Sequence, residues 1–411
     1  MDTPATIHVP TVGIICEFNP LHNGHIYLLS EARKLVGENG CVICVMSGRS
    51  TQRGELAITE PYTRGKIALA AGADLVVELP FPWCSGSAES FAWGGIGILS
   101  RMGCRHLMFG SECGDLSLLN RAAKLIRSVA FTERYASLCR EGMGTAAAFS
   151  RAMRETGDGF SESFPSSNDL LGIAYLAAIQ DLGADMIPHT LRRMGQDYRD
   201  ELLTNASYPS ATALRRLIQE AACDPVCLSA VLEGTMPEDA LSLLLQEISK
   251  ECAPISTHHF YDYAHTAFRI MPTADAQDIA ECGDGLLSHL KKCARAAASA
   301  EEFMSTAETK QYTKARLRRA MLFAVLGVRR EDLAALPSYT CLLAANHRGR
   351  GFLASWRKND TTPFALVTKP AAAPHGRQRD LGEGLDALYT LCLPKPHEAG
   401  WLCRKMPYVE K

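Results

Sequence analysis

The feature that most constrains this chain is an alternation. Short apolar runs, "VGIIC" (12–16), "CVICVM" (41–46), "DLVVEL" (74–79), "HLMF" (106–109) and "DMIPHTL" (185–191), are separated by helix-length segments rich in Ala, Leu, Glu and Lys. Gly40, Gly72, Gly103 and Gly183 stand just before the next run, where a helix stop and a short return loop belong. Continuous apolar strands spaced by helices predict an α/β fold with a parallel sheet covered on both faces. In such a sheet ligands bind beyond the carboxyl ends of the strands, where strand hands over to helix.

The 411 residues leave room for roughly two or three domains. From about residue 225 the character changes, with long helical segments at 237–251, 275–298 and 300–326 and few strand signals before "YTCLLAA" (339–345). A boundary near Asp224-Pro225 is therefore expected, with a catalytic α/β part at 1–224 and a mainly helical, basic part at 225–411. No apolar run approaches the ~20 residues needed to cross a bilayer, and "MDTPATIHVP" reads as no secretory signal, so a cytoplasmic protein is expected. The 15 cysteines lack framework spacing and read mostly as small buried hydrophobes, Cys16, Cys104 and Cys341 among them. Cys41 and Cys44 have C-x-x-C spacing, but on a strand they point to opposite faces.

The net charge of -2 hides an asymmetry. Residues 310–411 carry 18 Lys and Arg against 8 Asp and Glu, and residues 1–309 carry 25 against 37. The tail is thus +10 and the remainder -12, which makes the tail a candidate footprint for a polyanion or a plainly solvated basic surface.

The first strand-to-helix turn holds "FNPLHNGH" (18–25). His22 and His25 lie where helix-terminal N–H groups and the positive end of the helix dipole favour an anion. Two imidazoles at this spacing can contact one phosphoryl group as it gains charge, and Gly24 lets a nucleotide approach the backbone. In "SATALRR" (210–216), Ser210 reads as an N-cap, and Thr212 with Arg215 suits phosphate oxygens.

"FNPLHNGH" resembles the H-x-G-H signature of the nucleotidyltransferase superfamily, and "SATALRR" is similar to its second signature. Taken in order, "VMSGRSTQRGEL" (45–56), "GADLVVELP" (72–80), "FGSE" (109–112), "SNDLLGIAY" (167–175), "TLRRMGQDY" (190–198), "ETKQYTKARLRRAMLFAVLG" (308–327) and "SYTCLLAANHRGRGFL" (338–353) look like the bacterial tRNA(Met) cytidine acetate ligase family. Leu21 stands where that family commonly has an aromatic, and Ser167 where it has a proline.

The resemblance implies a Rossmann-like nucleotidyltransferase sheet. It implies an enzyme that converts acetate and ATP to acetyl-adenylate, then acetylates the N4 amine of the wobble cytidine in elongator tRNA(Met). Catalysis would fall to His22 and His25. ATP binding, carried over position by position, would fall to Ile15, Cys16, Glu17, Phe18, Asn19, Pro20, Leu21, His22, Asn23, Gly24, His25, Ile26, Tyr27 and Leu28, with Gly110, Asn168 and Arg193. Ser210, Thr212 and Arg215 would join them at the phosphates. Mg²⁺ is expected with the triphosphate, its ligands unassigned. Ser47, Gly48, Gln52 and Arg53, after the second strand, are candidates for the acetate or cytidine pocket, or an ordinary loop. Lys310, Lys314, Arg316, Arg319 and Arg350 are candidates for tRNA phosphates. The aromatic stretch "HHFYDYAH" (258–265) reads better as a helix core with polar tips than as a stacking platform. Two other readings stay open: a small-molecule adenylyltransferase of the same superfamily, and an RNA-binding protein with a degenerate nucleotide site.

Overall fold

The computed structural model describes residues 9–193, 210–222, 224–272, 278–283, 285–309, 311–359 and 363–410. The strands are β1 (Thr11–Cys16), β2 (Cys41–Ser47), β3 (Leu75–Leu79), β4 (His106–Ser111), β5 (Ile187–Arg192), β6 (Tyr339–Ala345), β7 (Ala365–Val367) and β8 (Tyr408–Val409). Between β1 and β5 come the helices α1 (Asn23–Val36), α2 (Pro61–Ala70), α3 (Ala88–Arg101), α4 (Leu116–Leu125), α5 (Val129–Arg140), α6 (Thr145–Thr156) and α7 (Ser167–Leu182). Beyond β5 lie α8 (Ala211–Ala221), α9 (Pro225–Leu232), α10 (Glu238–Ser249), α11 (Thr257–Ile270), α12 (Leu286–Ala296), α13 (Ala300–Ala307), α14 (Lys314–Leu326), α15 (Arg330–Ala334), α16 (His347–Asn359) and α17 (Arg377–Leu391).

The sheet order is β5-β4-β1-β2-β3-β6-β7, with β8 also on β6. From β5 to β3 all pairings are parallel, and β6 runs antiparallel to β3. The expected α/β sheet is thus present, with an antiparallel strand from the late chain closing its β3 edge. Side chains alternate across it: Val42, Cys44 and Met46 face one cluster with Leu29 and Ala32 of α1, whereas Cys41, Ile43 and Val45 face the other with Phe91, Ile96 and Leu99 of α3. Cys41 and Cys44 therefore lie on opposite faces, and the cysteines among the described residues are free.

Several elements differ from expectation. The segment 300–326 divides into α13 and α14, because the chain turns at Thr309, whose Oγ1 accepts from Tyr312 N at 3.1 Å. Of 275–298 only α12 is helical among the described residues, its start set by Gly285. α1 stops at Gly37 and not at Gly40, with Gly37 N donating to Arg33 O at 2.8 Å. The expected boundary at 224/225 coincides with a helix start, since Asp224 Oδ1 caps α9 through Val226 N and Cys227 N. Residues beyond it share the first part's core: Leu228, Leu232 and Leu244 pack in one cluster with Val12 and Leu29.

Candidate active site

β1 ends at Cys16, and the next residues turn a tight corner before α1. Phe18 takes a positive φ of 46°, a conformation that costs a non-glycine residue roughly 1–3 kcal/mol and persists where its surroundings over-determine it. The surroundings are identifiable. Asn19 Oδ1 accepts from Ile58 N at 2.9 Å, and Asn19 O accepts from Arg215 Nη1 at 2.9 Å. Arg64, fully buried on α2, donates to the carbonyls of Thr59, Glu17 and Gly48, so one guanidinium ties three loops together. Glu17 Oε1 accepts from Gln52 N at 2.8 Å, and burial raises its carboxyl above the usual range.

His22 is the N-cap of α1 and His25 its third residue, and the two form a reciprocal capping box. Gly24 N donates to His22 Nδ1 at 3.1 Å, and His22 N donates to His25 Nδ1 at 3.2 Å. Both Nδ1 atoms are therefore acceptors, which puts the ring proton on Nε2 in each neutral imidazole. The rings stack with centroids 3.8 Å apart. Gly24 sits against the His22 ring, since a Cβ there would lie 3.0 Å from His22 Cε1. Burial, reinforced by the Arg193 charge, lowers His22 to about 4, and burial with His22 and Arg193 holds His25 well below the ordinary imidazole range. The site thus offers two neutral N–H donors near neutral pH.

This carries a prediction about acid stability. The unfolded chain protonates these rings near 6.5 whereas folded His22 does so near 4, so the unfolded state gains protons first as pH falls. Stability from His22 should be complete above pH 6.5 and be lost progressively down to about pH 4. Urea midpoints for wild type and His22→Asn should converge across that interval; a constant gap would contradict the assignment.

The second signature folds against the first. Ser210 caps α8 by accepting from Ala213 N at 3.2 Å, and Arg215 reaches Thr212 Oγ1 at 3.1 Å, Asn19 O, and Glu55 at 3.2 Å. On the other side, Gly110 at the end of β4 lies under Arg193, whose Cγ would be 3.2 Å from a Cβ there. Asn168 Nδ2 donates to Glu112 Oε1, and Arg193 Nε lies 3.7 Å from the same oxygen. The structure therefore brings His22, His25, Arg215, Gly110, Asn168 and Arg193 to one edge of the sheet. Ser47, the last residue of β2, and Gly48 after it are both buried. Gln52 is partly buried, its side chain donating to Gly86 O at 3.2 Å, and Arg53 is exposed.

The model of the HIGH Nucleotidyl Transferase family matches residues 9–399. The tRNA(Met) cytidine acetate ligase of Acetivibrio thermocellus is 34% identical over 403 residues, 94% of this chain and 95% of its own. That of Anoxybacillus flavithermus is 33% identical, with the same coverage. The chain belongs to the tRNA(Met) cytidine acetate ligase family. In the same fold, apo Thermotoga maritima TmcAL has a TM-score of 0.86 at 28% identity, and its form bound with α-thio ATP 0.85 at 27%, each over 98% of this chain and 99% of theirs.

Three residues of this ligase-family site were not singled out from sequence: Arg64, Glu55 and Glu112. The available signal was a charged residue on the same helix stripe as apolar residues, as Arg64 is with Ile67 and Ala68 three and four positions on in "TRGKIALA". The tRNA candidates separate. Lys314 is exposed beside Glu308, and Arg316 lies over the Tyr312 ring, 5.3 Å from its centroid. Arg319 turns inward, its side chain 14% exposed and paired with Glu281 at 3.2 Å. Arg350 follows Asn346 and Gly349, which contact Asp74 at the start of β3, so it belongs to the edge opposite the histidines. Lys310 lies outside the described residues. Phe260, Ala264, His265 and Phe268 of α11 are buried, so "HHFYDYAH" supplies core.

Proposed function

We propose that this chain is an ATP-dependent acetate ligase that forms acetyl-adenylate and acetylates the N4 amine of the wobble cytidine of elongator tRNA(Met). The observation that carries the reading is the pair of stacked neutral imidazoles at the start of α1, flanked by Arg193 and Arg215. It is supported by relatives named tRNA(Met) cytidine acetate ligase and by the α-thio ATP bound to Thermotoga maritima TmcAL.

In the first step an acetate oxygen attacks the α-phosphorus, the bond to the β-phosphate bridging oxygen breaks, and pyrophosphate leaves. His22 and His25 donate Nε2–H to α-phosphoryl oxygens as their charge grows, while Ser210, Thr212 and Arg215 hold the β- and γ-phosphates. Gly110, Asn168 and Arg193 flank the nucleotide. In the second step the cytidine amine attacks the acetyl carbon, the bond to AMP breaks, and the amine loses a proton. No group of three or more His, Cys, Asp or Glu among the described residues is arranged for a metal. Mg²⁺ accompanying the triphosphate would be held by phosphate oxygens and water. Among the described residues no helix is long and apolar enough to cross a membrane, and this reading puts the enzyme with its tRNA in the cytoplasm.

The test is incubation with ATP, labelled acetate and total bacterial tRNA. Label should appear in N4-acetylcytidine of elongator tRNA(Met), with free AMP released. AMP retained in a small-molecule product would instead establish the adenylyltransferase reading, and RNA binding with no nucleotide turnover the degenerate-site reading.

For tRNA contact we propose the exposed start of α14. Lys314→Ala with Arg316→Ala should weaken tRNA binding and reduce its salt slope by about 0.7–0.9 per lost phosphate contact, with acetyl-adenylate formation retained. Arg350→Ala, at the far edge, should leave both unchanged. An unaltered slope in the double variant would move the RNA elsewhere.

A further inference from the structure

The carboxylate of Glu112, just past β4, sits against the start of α7 and is engaged at both oxygens. Oε2 accepts from Ser166 Oγ, from Asn168 N at 3.1 Å and from Asp169 N at 3.2 Å. Oε1 accepts from Asn168 Nδ2 at 2.5 Å and faces Arg193 Nε at 3.7 Å. Its side chain is 16% exposed. α7 already has its own cap, Asp169 closing a capping box with Ser166, so Glu112 is a second anion on the same helix start. What it adds is a grip on Asn168 and Arg193, two residues from separate elements.

Donors from Ser166, Asn168 and Asp169 surround the Glu112 carboxylate, so both of its oxygens act as acceptors. It therefore decides which way the Asn168 amide points: Nδ2 faces Glu112, and Oδ1 is the atom left to face the nucleotide. It also draws Arg193 over Gly110, beside the histidines whose protonation the Arg193 charge opposes. We propose that Glu112 is a positioning residue that fixes Asn168 as a hydrogen-bond acceptor, so that the site selects a nucleotide presenting an N–H or O–H donor there, a ribose hydroxyl or the adenine 6-amino group. The inference rests on the nucleotide-binding part of the proposed function and needs neither acetate nor tRNA.

Titration calorimetry tests it, because the fitted stoichiometry reports the folded fraction and Kd reports the folded site. In Glu112→Gln the new amide can donate to Asn168, freeing that side chain to flip. ATP Kd should rise about tenfold or more, in keeping with the loss of a hydrogen bond to a nucleotide donor. Two analogues locate that donor, 2′-deoxy-ATP and the triphosphate of purine riboside, which lacks the 6-amino group. One of them should bind wild type weakly and lose little further affinity in the variant. Glu112→Asp, which keeps an acceptor-only carboxylate, should restore part of the discrimination. Equal losses for ATP and both analogues, or a lowered stoichiometry with unchanged Kd, would reduce Glu112 to a helix cap and overturn the proposal. Absence of ATP binding by wild type would overturn the functional reading itself.

Discussion

Replacing His25 by asparagine is expected to lower acetate-dependent ATP–pyrophosphate exchange by ~10²–10³-fold, the usual loss when one donor to a developing oxyanion is removed. Asparagine is the informative choice because the ring has two separable duties. Its Nδ1 accepts from His22 N, a capping bond worth about 1 kcal/mol, and an asparagine oxygen can take over that bond. Its Nε2–H is the donor proposed for the reacting phosphoryl group, and an asparagine side chain is too short to replace it. Alanine loses both, so His25→Ala should match the rate loss of His25→Asn and add a modest drop in stability. Exchange within threefold of wild type in the asparagine variant would remove His25 from catalysis.

Arg64→Leu is expected to be the most destabilising single change in the site. A buried charge can often be replaced by an apolar side chain at little cost when its partner is another removable side chain. Here the partners are three backbone carbonyls, of Glu17, Gly48 and Thr59, which no substitution removes. Each buried acceptor left without a donor costs about 1–3 kcal/mol, so the loss should reach several kcal/mol and exceed that of any surface change nearby. Lysine should not rescue it, since one ammonium cannot span the fork of a guanidinium. The urea midpoint of unfolding is the measurement, and a midpoint equal to wild type would show that the three loops hold their positions without the clamp.

Much of the sheet could be read from sequence. Each of the five early strands lies where an apolar run was; β1, β2 and β3 are buried along their whole length and need no alternation to be recognised, whereas β5 is a partly exposed edge strand. Pairing was another matter. The run at 339–345 is evident as a strand, yet nothing in its composition says that it lies antiparallel beside β3. The histidine and hydroxyl–arginine signatures were visible because residue type and spacing are themselves the chemistry. Glu112 and Arg64 were not, since their importance lies in partners distant in sequence. Net charge says nothing of placement: the tail does hold an excess of arginine and lysine, but Arg319 pairs with Glu281 and Arg350 lies at the sheet edge opposite the histidines. A sum over a segment carries no direction.

The strand β6 has a consequence for how such an enzyme can be divided. Without residues 339–345, β3 would present a row of unpaired N–H and C=O groups along Leu75, Val76 and Val77, the kind of open edge that recruits other chains. The loop after β2 would be stripped as well, because Gly54, with φ of 75°, lies so close to the backbone of Arg318 and Arg319 that a side chain there would meet it at 2.5 Å. A fragment ending near residue 224 would keep both nucleotide signatures and still be prone to self-association. Division of the chain at that apparent seam is thereby disfavoured, because the parts on either side of it share one sheet and one core.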